Sequence, residues 1–168
     1  MPSDRTEGNG LPSDRQSHRQ SQMKIVIKNL QNKVRLYPAR IKKLISDILK
    51  GERVKESGYI NICFVNNALI KKFNIKFLKN KSSTDVLAFN WTEGHGLPSD
   101  RQSHRVLQAD IIISTEIAIT HAHKFKTTPN YELMLYVTHG LLHILGYNDR
   151  NKTETKLMRK KEAAYVDR

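Results

Sequence analysis

Two histidines and one aspartate near the C-terminal end of the chain have types and spacing that suit metal chemistry. His139 and His143 are four residues apart in an apolar run, Gly146 follows that run, and Asp149 comes six residues after His143. Residues four apart share one face of an α-helix, and a glycine after the last apolar residue is a common helix stop. The pattern therefore predicts a helix that presents both imidazoles side by side and a turn that returns Asp149 to them. Two imidazoles, one carboxylate and an open fourth position are typical of a catalytic zinc site.

The residue after the first histidine argues against one class of zinc enzyme. In zinc peptidases with this histidine spacing, a glutamate directly follows the first histidine and acts as the general base. Here that position is Gly140, so the sequence does not favour proteolysis. We assign no protein base, and the catalytic group would be a water bound to the metal. Glu132, seven residues before His139, is a candidate base two helical turns away. The alternative interpretation is that both histidines are buried core residues and Asp149 is a loop carboxylate.

The charge of the chain indicates a polyanionic partner. Its 168 residues carry a formal charge of +13, and the three arginines and three acidic residues of residues 1–22 cancel. The excess therefore lies in residues 23–168, which points first to nucleic acid and second to an anionic membrane surface. A general bias toward lysine is the alternative. The densest basic segment supplies the candidate RNA-binding residues, which are Lys71, Lys72, Lys76, Lys79 and Lys81.

Composition also bears on the compartment. The sequence has no apolar run long enough to span a bilayer and no apolar secretory segment near its start. Its single cysteine, Cys63, cannot form an internal disulfide and fits a reducing environment. We therefore expect a cytoplasmic protein that does not enter a membrane.

A duplicated segment interrupts the otherwise regular pattern. Residues 6–19 and 92–105 are identical at thirteen of fourteen positions, and both copies are rich in polar residues, glycine and proline. Structural repeats are usually tandem and number three or more, so we interpret this pair as one short sequence inserted twice. We expect a disordered polar extension at 1–22 and a single catalytic domain at 23–168 with an inserted loop at about 92–105. The alternative is a binding epitope made of two copies.

Hydrophobic periodicity predicts an α+β fold. Short β-branched runs predict four strands, and amphipathic stretches predict five helices. We expect a small mixed four-stranded sheet with helices packed on it and the metal site on the last core helix and the following turn. The predicted strands are 24–30, 59–65, 84–89 and 109–113, and the predicted helices are 39–49, 66–77, 115–125, 130–145 and 153–165.

Three segments carry a family resemblance. H-G-L-L-H-I-L-G-Y-N-D at 139–149 resembles the H-G-x-L-H-L-x-G-Y-D-H signature of the YbeY family of bacterial rRNA-maturation endoribonucleases. S-T-D-V-L-A-F at 83–89 resembles that family's P-T-D-V-L-S-F segment, and A-D-I-I-I-S at 109–114 resembles its G-D-I-x-I-S. The three segments occur in the family's order, and the resemblance covers residues 23 to about 165 without the repeat copies.

The resemblance implies a single-strand-specific endoribonuclease with one Zn²⁺, acting in maturation of the 16S rRNA 3′ end and in ribosome quality control. It implies an α+β fold with zinc at the surface of the last core helix. The implied partners are single-stranded rRNA, the small ribosomal subunit and assembly factors such as the Era GTPase.

Two residues depart from the family pattern. Asp149 stands where the family has a third histidine; a carboxylate is an acceptable zinc ligand, but its negative charge makes a bound water less acidic. Leu78 stands where the family has an arginine thought to face the scissile phosphate, so Lys76 or Lys79 would have to replace that charge. The alternative function is therefore a ribosome- or RNA-binding assembly factor whose nuclease chemistry is weakened or lost.

Overall fold

A computed structural model describes residues 23–55, 57–92 and 106–167. The N-terminal extension and the inserted loop predicted from the duplicated segment lie outside these residues, apart from Thr92. The elements, in chain order, are β1 (Met23–Asn29), α1 (Pro38–Gly51), β2 (Ser57–Val65), α2 (Asn67–Leu78), β3 (Val86–Asn90), β4 (Val106–Ser114), α3 (Thr115–Phe125), α4 (Pro129–Ile144) and α5 (Lys152–Val166).

Each predicted helix and strand is present, and the differences at their ends have local causes. Asn66 precedes α2 rather than starting it, because its side chain accepts a hydrogen bond from the Leu69 amide and caps the helix. β3 begins at Val86 because the Asp85 carboxylate accepts hydrogen bonds from the Val86 amide and the Thr84 hydroxyl. These side-chain contacts turn the chain just before the strand.

The four strands form one mixed sheet in the order β1-β2-β4-β3. β1 pairs with β2 and β2 pairs with β4 in parallel, whereas β3 pairs antiparallel with β4. The predicted α+β fold with a small mixed sheet is confirmed, and so is the predicted adjacency of β3 and β4. β3 is an edge strand, with β4 as its only sheet neighbour among the described residues.

Helices cover the two faces of the sheet unequally. Alternate residues of a strand point to opposite faces. Ile62 of β2 and Ile111 of β4 belong to the larger core, which α1, α4 and α5 complete. On the other face, α2 covers a smaller cluster made of Val65, Ile70, Leu87 and Ile112. The helix that carries the two histidines and the helix that carries three of the candidate lysines therefore pack on opposite faces.

α4 is the central helix of the fold and packs against β3, β4, α1, α3 and α5. It begins at Pro129 after Thr128, whose hydroxyl accepts a hydrogen bond from the Tyr131 amide. It ends just before Gly146, which has a φ of +96° that side-chain-bearing residues rarely adopt. The predicted helix stop at Gly146 is thereby confirmed. No helix in the described part of the chain combines the length and apolar character required to cross a membrane.

Gly140 lets α4 approach the sheet closely. A Cβ atom at this position would lie 2.9 Å from Cγ2 of Ile111 and 3.1 Å from Cγ2 of Val86. Both distances are shorter than ordinary carbon–carbon contacts. Packing in this fold therefore favours glycine at position 140, where zinc peptidases have glutamate, because a Cβ atom there would crowd Ile111 and Val86.

We predict that Gly140→Ala destabilises the protein. Overpacking costs about 1–3 kcal/mol, which exceeds the gain of about 1 kcal/mol in helix propensity when alanine replaces glycine. Urea unfolding should show a net loss of up to about 2 kcal/mol on this basis. As a control, the loss should shrink in a Val86→Ala background, where one of the two contacts is removed. An alanine variant as stable as the parent would contradict the close packing.

Candidate metal centre

The structure brings His139, His143 and Asp149 together at the C-terminal end of α4. The two Nε2 atoms are 2.9 Å apart. Asp149 Oδ2 is 3.9 Å from Nε2 of His139, and Asp149 Oδ1 is 4.0 Å from Nε2 of His143. Within the described residues, no other group of three histidine, cysteine or acidic side chains converges in this way. The three ligands predicted from the sequence therefore share one site.

His139 is oriented by a carboxylate from the last helix. Its Nδ1 lies 2.6 Å from Oε1 of Glu162, a buried residue of α5. Arg159 donates to the other oxygen of Glu162 at 2.9 Å. Burial raises the pKa of the Glu162 carboxyl, but the hydrogen bond from His139 and the charge of Arg159 outweigh burial and hold the pKa below its usual value. Because this carboxylate is ionised and accepts, Nδ1 of His139 carries the proton.

His143 is oriented by a backbone carbonyl. Its Nδ1 donates to the Tyr147 carbonyl oxygen at 2.9 Å, and a carbonyl can only accept. Tyr147 is itself anchored, since its hydroxyl donates to Oε2 of Glu52 at 2.6 Å. Glu52 also accepts hydrogen bonds from Lys161 and Tyr165. Burial raises the pKa of Glu52, but these hydrogen bonds have the larger combined effect and lower it overall. The end of α1 and the helix α5 thus fix the turn that holds His143.

These proton positions leave the Nε2 atoms of both histidines without a proton, so the site favours a positive charge between them. With Nδ1 protonated in both neutral rings, both Nε2 atoms present lone pairs to each other at 2.9 Å, and the Asp149 carboxylate adds further acceptors beside them. Such a group is satisfied by a cation between the rings or by a shared proton. The nitrogen, nitrogen and oxygen donor set matches that of zinc, and a tetrahedral ion would require the nitrogens to separate to about 3.3 Å. The residues present therefore fit a metal ion.

Ordinary core histidines are a poorer description of this pair. The side chains of His139 and His143 are partly exposed, and that of Asp149 is 44% exposed. The site thus opens to solvent beside the carboxylate, where a substrate can reach it. Buried core imidazoles would instead need donors facing their Nε2 atoms.

The candidate base Glu132 does not reach the cluster. Seven residues separate it from His139, a rise of about 10 Å along the helix. It is buried and accepts a hydrogen bond from the Thr127 hydroxyl. Its charge, together with burial, raises the pKa of the nearby Tyr136 hydroxyl. Glu132 therefore serves the packing at the start of α4, and the structure gives it no path to the site.

The five candidate lysines are exposed and lie on two neighbouring segments of the chain. Lys71, Lys72 and Lys76 are on α2, which packs on the sheet face opposite α4. Lys79 and Lys81 lie in the segment that joins α2 to β3. The structure therefore places three of the five lysines on the sheet face opposite the two histidines.

Sequence reasoning missed the residues that orient the histidines. Met158, Glu162 and Tyr165 recur at helical spacing, and all three are buried. A carboxylate on the apolar stripe of a helix is a usable sequence pattern, because a buried charge requires a partner. Glu52 and the Tyr147 carbonyl leave no such pattern in the sequence.

Comparison with known proteins agrees with this geometry. A family model described as Endoribonuclease YbeY matches residues 26–168. The chain belongs to the YbeY family. The resemblance inferred from the three motifs is thereby confirmed.

Several proteins named Endoribonuclease YbeY are similar to this chain. That of Pelotomaculum thermopropionicum is 30% identical over 87% of this chain and 97% of its own length. That of Caldanaerobacter subterraneus subsp. tengcongensis is 31% identical with the same coverage. A solution structure of a Thermotoga maritima protein is 26% identical and superposes with a TM-score of 0.57, covering 85% of this chain and 87% of that one. The YbeY fold assignment therefore rests on sequence and structure together.

We predict that Glu162→Gln weakens metal binding by about 10- to 100-fold, because loss of such an outer carboxylate frees the ring orientation and lowers the basicity of the ligand. Competition with a chromophoric zinc chelator measures this change. Arg159→Ala is the control, since it removes the exposed partner of Glu162 and keeps the contact to His139. Equal zinc affinity in the parent and the glutamine variant would contradict the assigned role.

Proposed function

We propose that this protein is a single-strand-specific, zinc-dependent endoribonuclease that acts in 16S rRNA 3′-end maturation and ribosome quality control. The supporting observation is the convergence of His139, His143 and Asp149 with both Nδ1 atoms committed to fixed acceptors. Membership of a family whose relatives are named endoribonucleases gives the substrate class. The proposed partners are single-stranded rRNA, the small ribosomal subunit and assembly factors such as the Era GTPase, in the cytoplasm.

The proposed mechanism assigns binding and orientation to the chain's own residues. A single Zn²⁺ would supply Lewis acidity toward a phosphoryl oxygen or lower the pKa of a water to about 7. His139, His143 and Asp149 hold that ion, and Glu162 and the Tyr147 carbonyl keep both imidazoles in the tautomer that offers Nε2. No protein base is assigned, because Glu132 is buried away from the site.

The lysine segment is proposed to hold the RNA backbone. The sequence of residues 67–84 contains five lysines and no acidic residue. No carboxylate within this segment therefore competes with a phosphate for the lysine side chains. Exposed ammonium groups bind phosphates and release counterions. Since α2 lies on the other face of the sheet, its three lysines would contact RNA at a distance from the scissile bond. Residues 23–168 are the proposed catalytic domain, with an inserted loop at about 92–105.

His143→Ala is predicted to abolish both bound zinc and RNA cleavage while the domain stays folded, because the ring is partly exposed. Elemental analysis, circular dichroism and a single-stranded RNA cleavage assay with and without chelator measure the three properties. Cleavage that survives complete removal of zinc would overturn the mechanism. RNA binding without any cleavage by the zinc-loaded parent would instead support the assembly-factor alternative.

Asp149→His is predicted to tighten zinc binding and to move the acidic limb of the cleavage pH profile to lower pH. A neutral imidazole leaves more net positive charge at the site than a carboxylate does, which favours loss of a proton there. Cleavage rates between pH 5 and 9 measure the profile. Asn148→His is the matched control, because it adds an imidazole to the same loop without replacing the ligand. An unchanged profile in Asp149→His would remove Asp149 from the proposed ligand set.

A further inference from the structure

One half of the sheet face opposite α4 is not covered by any helix in the described residues. α2 covers the part of that face around Val65 and Leu87. Alternate residues of a strand share one face, so Tyr59 of β2 and Gln108 of β4 lie on the same face as those residues. Tyr59 and Gln108 are register partners in the parallel pair β2–β4. The Trp91 amide donates to the Gln108 carbonyl at 2.7 Å, which extends this row past the end of β3.

Aromatic rings form a continuous ladder beside this row. The Trp91 ring stacks on Phe89 with centroids 5.7 Å apart, Phe89 contacts Phe77 at 5.3 Å, and Phe77 stacks on Phe73 at 6.1 Å. The ladder is open at its surface, since Trp91 is 50% and Phe77 is 45% exposed. Tyr59, 51% exposed, lies two strands away from Trp91, roughly 10 Å across the sheet. We call Tyr59, Phe77, Phe89 and Trp91 the aromatic platform.

The exposed tryptophan is held in place rather than free to turn. Its indole N–H donates to Oδ2 of Asp110 at 2.9 Å. The other oxygen of Asp110 accepts from the side-chain amide of Asn61 at 2.8 Å. These contacts occupy both oxygens of the Asp110 carboxylate and fix the ring before any ligand arrives. A rigid aromatic surface loses little entropy on binding.

Positive charge accompanies the rings. The Lys24 ammonium lies 5.9 Å from the centre of the Tyr59 ring, and the Lys76 ammonium lies 5.4 Å from that of Phe77. Lys71 and Lys72 add two exposed charges on α2. Flat rings with neighbouring cations complement a ligand that has both flat rings and phosphates.

We propose that the aromatic platform binds single-stranded RNA by base stacking, while Lys24 and Lys76 contact its phosphates. Stacking on aromatic side chains flanked by basic residues is the general mode of single-strand recognition. Asn61 and Gln108 offer donors and acceptors to base edges between the rings. This inference rests on the proposed function, because it names a second contact surface for the same substrate.

β3 connects this surface to the metal centre. It is the edge strand of the sheet, and Asn90 at its end donates to the Ile144 carbonyl at 3.1 Å, one residue after His143. The next residue, Trp91, belongs to the platform. β3 and its C-terminal neighbour Trp91 therefore join the platform to the turn region that carries the candidate metal ligands.

Trp91 is the single tryptophan of the chain, so its fluorescence tests the proposal directly. An unlabelled single-stranded RNA of ~12 nucleotides, a length within the range of single-strand binding sites, should quench the emission saturably in the presence of chelator. Inorganic polyphosphate of similar charge, which has no bases, should compete for the lysines without the same quenching. RNA that binds by fluorescence anisotropy of a labelled strand while Trp91 emission stays constant would overturn the proposal.

Substitutions provide the second test. Trp91→Ala and Tyr59→Ala should each weaken RNA binding by about 5- to 100-fold, because each removes a stacking contact. The salt dependence of binding should not change, because the phosphate contacts are kept. Trp91→Phe should recover most of the affinity. Phe125→Ala is the matched control, since Phe125 is 55% exposed, has Lys124 at 5.1 Å from its ring and lies at the end of α3.

The outcomes separate this inference from the proposed function. If the parent cleaves RNA with zinc but Trp91→Ala and Phe125→Ala bind and cleave alike, the platform proposal fails and the nuclease assignment stands. If stacking is observed and zinc-dependent cleavage is not, the nuclease assignment fails and the platform proposal stands. Self-association that Trp91→Ala abolishes, with RNA affinity unchanged, would assign the platform to a second copy of the chain and overturn the proposal.

Discussion

The facing Nε2 atoms of His139 and His143 impose a requirement on parts of the chain that are distant in sequence. Two ring nitrogens with lone pairs 2.9 Å apart persist only where each Nδ1 is committed to an acceptor and a positive charge can enter between them. α5 supplies one acceptor through Glu162. The turn after α4 supplies the other through Tyr147, which Glu52 at the end of α1 anchors. These hydrogen bonds link α4 to α1 and α5 around the candidate metal centre.

Much of the fold and the ligand set followed from short-range features of the sequence. The periodicity of apolar residues, the helix caps and the stop at Gly146 act over a few residues, so they predicted the elements and their approximate ends. The three candidate ligands lie within residues 139–149, on one helix and the turn after it. Their convergence therefore depended on local geometry, which spacing encodes. Gly140 was interpreted only as a missing base, whereas its packing against Ile111 became visible in three dimensions.

The remaining features depend on tertiary packing and could not be predicted in this way. Periodicity identifies the apolar side of α2 but not which face of the sheet it covers, so the sequence did not reveal that Lys71, Lys72 and Lys76 lie on the face opposite α4. Glu132 and Glu162 are both buried carboxylates of amphipathic helices, and the sequence does not distinguish them. Their partners decide their roles: a threonine hydroxyl holds Glu132 in the core, and an imidazole makes Glu162 part of the metal centre.

β3 shows how five residues can serve two surfaces at once. Val86 and Ala88 face α4, and Val86 lies beside Gly140. Leu87 and Phe89 face α2. Because alternation is strict along a strand, a shift in register would move the aromatic side chains to the metal face and the small ones away from α4. The segment that resembles the family motif at 83–89 thus joins helix packing on one side to an exposed aromatic face on the other. A substrate that contacts both faces would be sensitive to the position of this strand, since the turn at Asp85 and the contact of Asn90 with Ile144 set its two ends.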